Sequence, residues 1–108
     1  MLEAIFGNTN KEKILFYIYK NKKAYAREIS IKLNQTLFSV QRLLSGFEDK
    51  GLLLSSLSGR TKIFEFNPRY AFIKETVSLL DKAWAFLPKE EQERYIIRKR
   101  PRRSDKPI

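Results

Sequence analysis

The stretch that decides the fold is residues 26–53, which read AREISIKLNQTLFSVQRLLSGFEDKGLL. Apolar residues recur there at the three- and four-residue spacing of a helix face, first over Tyr25–Leu33 and then over Leu37–Lys50. The segment Asn34-Gln35-Thr36 separates the two. Asparagine tolerates the left-handed backbone that ends a helix, and Thr36 can cap the next one. The stretch therefore predicts two helices joined by a tight turn.

Upstream of this stretch, the sequence predicts one more helix. A short apolar start ends at Gly7, and Asn8 or Thr9 can cap a helix that runs from about Lys11 to Asn21. Its apolar residues lie on more than one face, so we expect burial on several sides. Residues 21–23 are polar and are predicted to be a turn.

Downstream of Gly51, the pattern changes to that of strands. The runs 52–57 and 61–66 flank Ser58-Gly59-Arg60, which predicts a β-hairpin. Asn67 and Pro68 suit a helix start, and a long helix is predicted over Pro68–Phe86. A further short helix is predicted at 89–95. The fold class is therefore mainly α with a small β-hairpin.

Four short motifs follow one another along the chain at characteristic spacing. They are Glu28-Ile29 with Leu33, Ser39-Val40-Gln41-Arg42 with Leu44, Phe47-Glu48 with Gly51-Leu52-Leu53, and Gly59-Arg60-Thr61 with Phe66. Over about residues 10–87 the chain thus resembles the winged helix-turn-helix regulators of bacteria and archaea, closest to the ArsR-like (arsenic-repressor-like) group. The resemblance implies a winged helix with a long C-terminal helix. It also implies a sequence-specific regulator that binds double-stranded DNA, commonly as a repressor.

The helix Leu37–Lys50 is the candidate DNA reader, because a major groove about 12 Å wide accepts one helix. Gln41 suits adenine and Arg42 suits guanine, each through paired hydrogen bonds. Phe38 could meet a thymine methyl group, and residues near the hairpin tip could reach phosphates. The predicted DNA contacts are Thr36, Leu37, Phe38, Ser39, Gln41, Arg42, Ser45, Arg60 and Lys62.

These assignments have structural alternatives. Arg42 could instead pair with Glu48 or Glu28 at the surface, and Leu37, Phe38 or Leu43 could belong to the edge of the core. A protein-docking module or an RNA-binding module of the same fold is the alternative function.

The amino-acid composition limits the partners and the catalytic or metal sites that this chain can have. The 108 residues include 22 Lys and Arg against 12 Asp and Glu, and the net charge of +10 favours a polyanionic partner. The sequence has no Cys and no His, which removes thiolate and imidazole metal ligands and the common nucleophile–base pairs. It also lacks a phosphate-binding glycine loop. We therefore expect neither an enzyme nor a cofactor, and a regulator without the metal-sensing ligands of many ArsR-like repressors.

The predicted helix over Pro68–Phe86 carries two adjoining apolar stripes, which together are wider than one small domain usually buries. One stripe could pack on its own domain while the other meets a second copy. Alternatively, both stripes could fold onto the first helix and the N-terminal segment. The predicted homodimer contacts are Ile5, Phe6, Phe72, Leu79 and Phe86.

The chain ends in a basic tail. Residues 98–108 carry six Lys or Arg and one Asp, which is half of the net charge. We predict a domain over 1–97 and a disordered tail over 98–108. The tail could contact DNA phosphates, could bind RNA, or could simply be solvated. Its candidate phosphate contacts are Arg98, Lys99, Arg100, Arg102 and Arg103.

No apolar stretch approaches the roughly 18–20 residues that cross a bilayer, and the first residues lack the pattern of a secretory signal. A cytoplasmic protein without a membrane partner is expected.

Overall fold

The computed structural model describes residues 1–96. Six helices and three strands alternate along this part of the chain. They are α1 (Glu3–Phe6), α2 (Thr9–Asn21), β1 (Lys23–Tyr25), α3 (Ala26–Leu33), α4 (Leu37–Asp49), β2 (Leu53–Ser58), β3 (Thr61–Phe66), α5 (Ile73–Phe86) and α6 (Lys89–Glu93).

Helix α2 is the centre of the core. Asn8 caps it by accepting a hydrogen bond from the Lys11 amide at 2.7 Å. Five consecutive residues of its middle, Ile14 to Ile18, are fully buried. Consecutive residues point around a helix, so α2 is covered on all sides, as its apolar pattern indicated. Helices α1, α3, α4 and α5 and the sheet supply the cover.

The turn between α3 and α4 follows the sequence prediction. Asn34 ends α3 in the left-handed region at φ 55°. The Ser30 hydroxyl donates to the Gln35 carbonyl at 2.7 Å, so this side chain ties the turn to the helix before it. Thr36 accepts from the Ser39 amide at 3.1 Å and caps α4. These bonds fix the angle at which α4 leaves α3.

Helix α4 is amphipathic. Val40 and Leu44 are fully buried and Phe47 is half-buried, so the apolar residues at helical spacing in Leu37–Lys50 form the inner stripe of α4, as their spacing predicts. The helix ends at Asp49, and Gly51 adopts φ 89° just before the hairpin. The opposite face of α4 is left exposed.

The hairpin is confirmed, but the sheet has a third strand that the sequence analysis missed. β2 and β3 pair antiparallel with Ser58 opposite Thr61, which leaves a two-residue loop containing Gly59 at φ 65°. β1 pairs with the other edge of β3, with Ala24 opposite Phe64, so the strand order is β1-β3-β2. The prediction of a polar turn at residues 21–23 and a helix from Tyr25 was therefore wrong in part. Three residues are too few to show an alternating pattern, and pairing with β3 overrides their local preference.

The predicted long helix over Pro68–Phe86 is also corrected, because α5 begins only at Ile73. Asn67 does not cap a helix at Pro68. Its amide group donates to the Gly51 carbonyl at 2.9 Å and its carbonyl oxygen accepts from the Arg69 amide at 2.9 Å. These bonds tie residues 67–69 to the end of the hairpin, and turns continue to the start of α5. The helix has 14 residues.

The two stripes of α5 have different surroundings. Leu80 and Ala83 are buried against the core, and α5 packs mainly on α2. Phe72 and Phe86 remain exposed at the two ends of the helix. The interpretation in which both stripes fold completely onto the same domain is thus wrong for these two rings.

The last described turn is anchored by aromatic packing. Tyr95 is buried, with its ring centroid 5.6 Å from that of Phe16 and 5.8 Å from that of Trp84. The Asn21 side chain donates to the Tyr95 carbonyl at 2.5 Å. α6 and residues 94–96 are therefore held against α2.

Candidate nucleic-acid interface

The outer face of α4 projects away from the core. Phe38 is 72% exposed, and Gln41, Arg42 and Ser45 are exposed with it. Thr36 is exposed just before the helix, Leu37 is half-buried at its first position, and Ser39 is half-buried. Because Val40 and Leu44 hold the helix to the core from the other side, this polar and aromatic surface has a fixed position.

The structure brings part of the predicted set together in a cleft between α4 and the hairpin, which we call the wing cleft. It has a volume of about 580 Å³. Leu37, Gln41 and Ser45 line it from α4, and Arg60 and Lys62 line it from the hairpin. These five predicted residues therefore face one space.

The cleft is also lined by residues that sequence reasoning did not select, and two of them, Tyr25 and Arg27, carry polar or charged groups next to α3. Tyr25 and Arg27 stand at the junction of β1 and α3 and line the cleft, with Tyr25 paired to Ile63 of the hairpin strand β3. Arg27 lies in the first turn of α3, where helix amides also favour an anion. The sequence does show a basic residue, Arg27, at the start of the helix that precedes the candidate DNA reader. Its position beside the hairpin, however, depends on the pairing of β1 with β3.

The wing cleft is strongly cationic. Arg27, Arg60 and Lys62 line it, and its lining among the described residues includes no carboxylate. A concave surface bounded by one sign of charge concentrates the field and attracts the opposite charge. The cleft can therefore hold an anionic backbone beside α4.

One of the predicted phosphate contacts already has a partner. The Lys62 ammonium lies 3.2 Å from a carboxylate oxygen of Glu48, and the Ser55 hydroxyl donates to the other oxygen at 2.5 Å. The hydrogen bond from Ser55 and then the Lys62 charge lower the pKa of Glu48 below its usual value of 4.5. Lys62 therefore connects the hairpin to α4 as well as facing the cleft.

Arg42 is available, contrary to its alternative assignment. Glu48 pairs with Lys62, and Glu28 accepts from the Tyr25 amide at 3.4 Å at the start of α3. Arg42 forms no ion pair with any residue in the range 1–96. It lies with Phe38 and Ser39 on the side of α4 away from the hairpin, facing α1.

The predicted dimer contacts divide into two groups. Ile5, Phe72 and Phe86 are 61%, 61% and 68% exposed. Phe6 and Leu79 are half-buried and pack against the core. The predicted tail contacts Arg98, Lys99, Arg100, Arg102 and Arg103, and the predicted tail segment itself, lie outside the described residues.

Two other findings concern the described part of the chain. No group of three or more carboxylate side chains within residues 1–96 is placed to hold a metal ion. No helix in this range is long and apolar enough to span a membrane.

Comparison with known proteins identifies the fold. No protein-family model matches the chain, and no curated protein matches it in sequence. Among solved structures, it is similar to a mutant of Staphylococcus aureus MepR bound to an oligodeoxyribonucleotide, with a TM-score of 0.59 and 22% identity over 85% of this chain and 74% of that one. The transcriptional regulator Tm0710 of Thermotoga maritima gives a TM-score of 0.56 and 21% identity over 85% and 71%.

Other similar structures are more distant in sequence. The adhesin competence repressor AdcR of Streptococcus pyogenes gives a TM-score of 0.52 and 15% identity over 85% of this chain and 78% of that one. A mutant of Lactococcus lactis ZitR gives 0.53 and 18% over 80% of this chain, which spans only 66% of the ZitR chain. At these identities the likeness is one of architecture. The chain has the winged helix-turn-helix fold found in these transcription regulators.

Proposed function

We propose that this protein is a sequence-specific regulator of transcription that binds double-stranded DNA. The observation that carries the proposal is the exposed face of α4 beside a cleft lined by three cations and no carboxylate among the described residues. A helix in the major groove with a cationic surface beside it is how winged helices bind duplex DNA. The similar MepR structure, bound to an oligodeoxyribonucleotide, supports this choice of ligand.

In this proposal, Gln41 and Arg42 read bases. Both are exposed, but Gln41 lines the wing cleft and Arg42 lies on the side facing α1. Adjacent residues on a helix diverge by about 100°. The two side chains would thus contact different base pairs, while Phe38 would pack against a thymine methyl group.

The remaining cations would position the duplex. Arg27 on α3 and Arg60 at the hairpin tip both line the wing cleft and suit phosphates of the DNA backbone. Thr36 and Ser39 suit a phosphate near the start of α4, where the helix amides favour an anion. The basic segment from Arg98 to Arg103 would add affinity without sequence preference.

We further propose that the regulator is a homodimer and a repressor. Phe72, just before α5, and Leu79 and Phe86 within it recur every seven residues, and the two Phe rings are 61% and 68% exposed within residues 1–96. A twofold axis near this stripe and near α1 would present two α4 helices to half-sites one DNA turn apart. Occupation of a promoter would then exclude polymerase. The narrower assignment to an ArsR-like group without metal ligands remains a prediction from sequence.

The test is selection of bound fragments from the source genome at about 0.15 M salt, where nonspecific binding is weak. We expect the intact protein to enrich a short sequence with twofold symmetry. A Gln41→Ala/Arg42→Ala variant should lose this enrichment, with affinity for the selected site reduced at least about tenfold, since each bidentate base contact contributes about 1–3 kcal/mol.

A charge-matched control separates base reading from loss of charge. Lys89→Ala on α6 removes one positive charge from an exposed residue outside the wing cleft. It should enrich the same sequence as the intact protein. Enrichment that persists in the Gln41→Ala/Arg42→Ala variant would contradict the proposal, and preference for RNA over duplex DNA would replace it.

A further inference from the structure

A second groove lies on the other side of α4, between this helix and the segment formed by α1 and the start of α2. We call it the α1–α4 groove. It has a volume of about 640 Å³, comparable to a ligand site. Phe6, Leu43 and Phe47 line it with apolar surface, and Gly46 contributes no side chain. A Cβ atom built on Gly46 would meet nothing within 4 Å, so the space above this residue is open.

The rim of the groove has one sign of charge. Lys11, Arg42 and Lys50 line it, and none of the residues lining it is acidic. None of the three cations has an ion-pair partner within the part of the chain that the structure describes. Exposed Ile5 and Phe38 stand at its edges. The groove thus combines an apolar floor with unpaired positive charge.

We propose that the α1–α4 groove binds an acidic amphipathic helical segment of a partner protein, and that this segment competes with DNA for α4. The groove extends along α4 from Phe38 to Lys50, a helical rise of about 18 Å. A partner helix of about three turns has this length and can place apolar residues on the floor and carboxylates at both ends.

Other occupants fit the groove less well. A phosphodiester backbone gains nothing from the apolar floor formed by Phe6, Leu43 and Phe47. The tail segment 98–108 carries six Lys or Arg, so cations on the rim repel it. The Arg42 and Lys50 positions are about 12 Å apart along α4, too far to converge on a single carboxylate.

Competition follows from shared residues and rests on the proposed DNA-binding role of α4. Phe38, Ser39 and Arg42 line the groove and also belong to the predicted DNA-contact set. A segment seated in the groove would cover them, so the two ligands should exclude each other.

The direct test uses a synthetic probe in the absence of DNA. The probe is a fluorescein-labelled helix-forming peptide of about 16 residues, with Leu and Phe at helical spacing and Glu on both flanks. The control peptide has the same composition but no apolar face. At about 0.15 M salt we expect the amphipathic probe to bind at least about tenfold more tightly than the control peptide.

Two variants locate the binding. Lys11→Glu/Lys50→Glu reverses the rim charges, and Gly46→Leu fills the groove without changing charge; each should weaken binding at least about tenfold. Lys32→Glu/Lys89→Glu makes the same change in net charge at exposed residues outside the groove, and it should change binding less than about threefold. Circular dichroism checks that each variant is folded. Equal binding of both peptides, or equal loss in both charge-reversal variants, would overturn the proposal.

Competition and self-association are separate readouts. The DNA duplex enriched in the selection experiment should displace the amphipathic probe from the intact protein. If peptide binds and no duplex binds, the proposed function fails while the groove assignment stands. If duplex binds without displacing peptide, competition is disproved. Loss of a dimer in Lys11→Glu/Lys50→Glu would assign the groove to a second copy and overturn the proposal.

Discussion

At the junction of α4 and the hairpin, the Glu48 carboxylate receives a hydrogen bond from Ser55 and an ion pair from Lys62. The three residues belong to three consecutive elements, so this small network fixes the hairpin relative to the helix that we propose reads DNA. The Glu48 pKa is below its value of 4.5 in a free side chain. The network therefore stabilises the fold above this pH, and the contribution falls as pH drops through the lowered pKa.

Glu48→Gln should reveal this dependence. Near pH 6 we expect the variant to have a lower free energy of unfolding, by up to about 1 kcal/mol because the pair is partly exposed. The difference should shrink as the pH falls well below 4.5, the free value. Urea denaturation at both pH values measures it. Asp49→Asn, the adjacent exposed carboxylate, is the control, and a Glu48→Gln deficit independent of pH would contradict the assignment.

At the scale of elements, most of the fold can be predicted from the sequence, because the strongest sequence patterns depend on neighbouring residues. The turn at Asn34 and Thr36, the inner stripe of α4 and the hairpin around Gly59 each have a signal in adjacent residues. β1 and the start of α5 could not be predicted in this way. The short strand β1 exists because it pairs with β3, and Asn67 bonds to Gly51, which lies 16 residues earlier in the chain.

In the candidate site, too, some residues could be predicted from local sequence and others depend on contacts between distant segments. The exposed α4 residues Phe38, Gln41 and Arg42 follow directly from helical periodicity. Arg27 joins the wing cleft only because β1 places the start of α3 beside the hairpin. The pairing of Lys62 with Glu48 likewise depends on how the hairpin folds against α4.

The cap of α4 can be tested on its own. Thr36→Ala removes the acceptor for the Ser39 amide and should lower the free energy of unfolding by about 1 kcal/mol. Thr36→Ser keeps the hydroxyl and should restore most of the loss. Chemical denaturation measures both variants. Equal stability of Thr36→Ala and the intact protein would mean that this bond contributes nothing to the helix start.

At the scale of the whole molecule, the exposed apolar residues have separate places. Phe72 and Phe86 lie at the ends of α5, Phe38 lies on the proposed reading face, and Ile31 and Leu57 lie on α3 and the hairpin. The α5 pair continues a stripe along one helix that includes a partly buried apolar residue, Leu79. This continuity is why the dimer proposal places the twofold axis at α5.

The dimer proposal predicts that Phe72→Lys/Phe86→Lys is a folded monomer. Both rings are more than half exposed, so the substitutions should change the stability of the isolated chain little. Sedimentation velocity should show a dimer for the intact protein and at least a tenfold weaker association for the variant, about 1.4 kcal/mol. Ile31→Lys/Leu57→Lys changes residues that are 71% and 73% exposed and should remain dimeric. Dimers in both variants would show that the interface lies away from Phe72 and Phe86.

The burial of α2 on every side has a consequence for how the molecule opens. Protein segments exchange their amide protons through local or global unfolding, according to how many packed neighbours must separate. The middle of α2, from Ile14 to Ile18, touches helices and sheet alike, so its amides become accessible only when the whole domain comes apart. The hairpin tip at Gly59 has no such cover. The hairpin tip can therefore adjust to a bound duplex while the helix at the centre of the core stays closed.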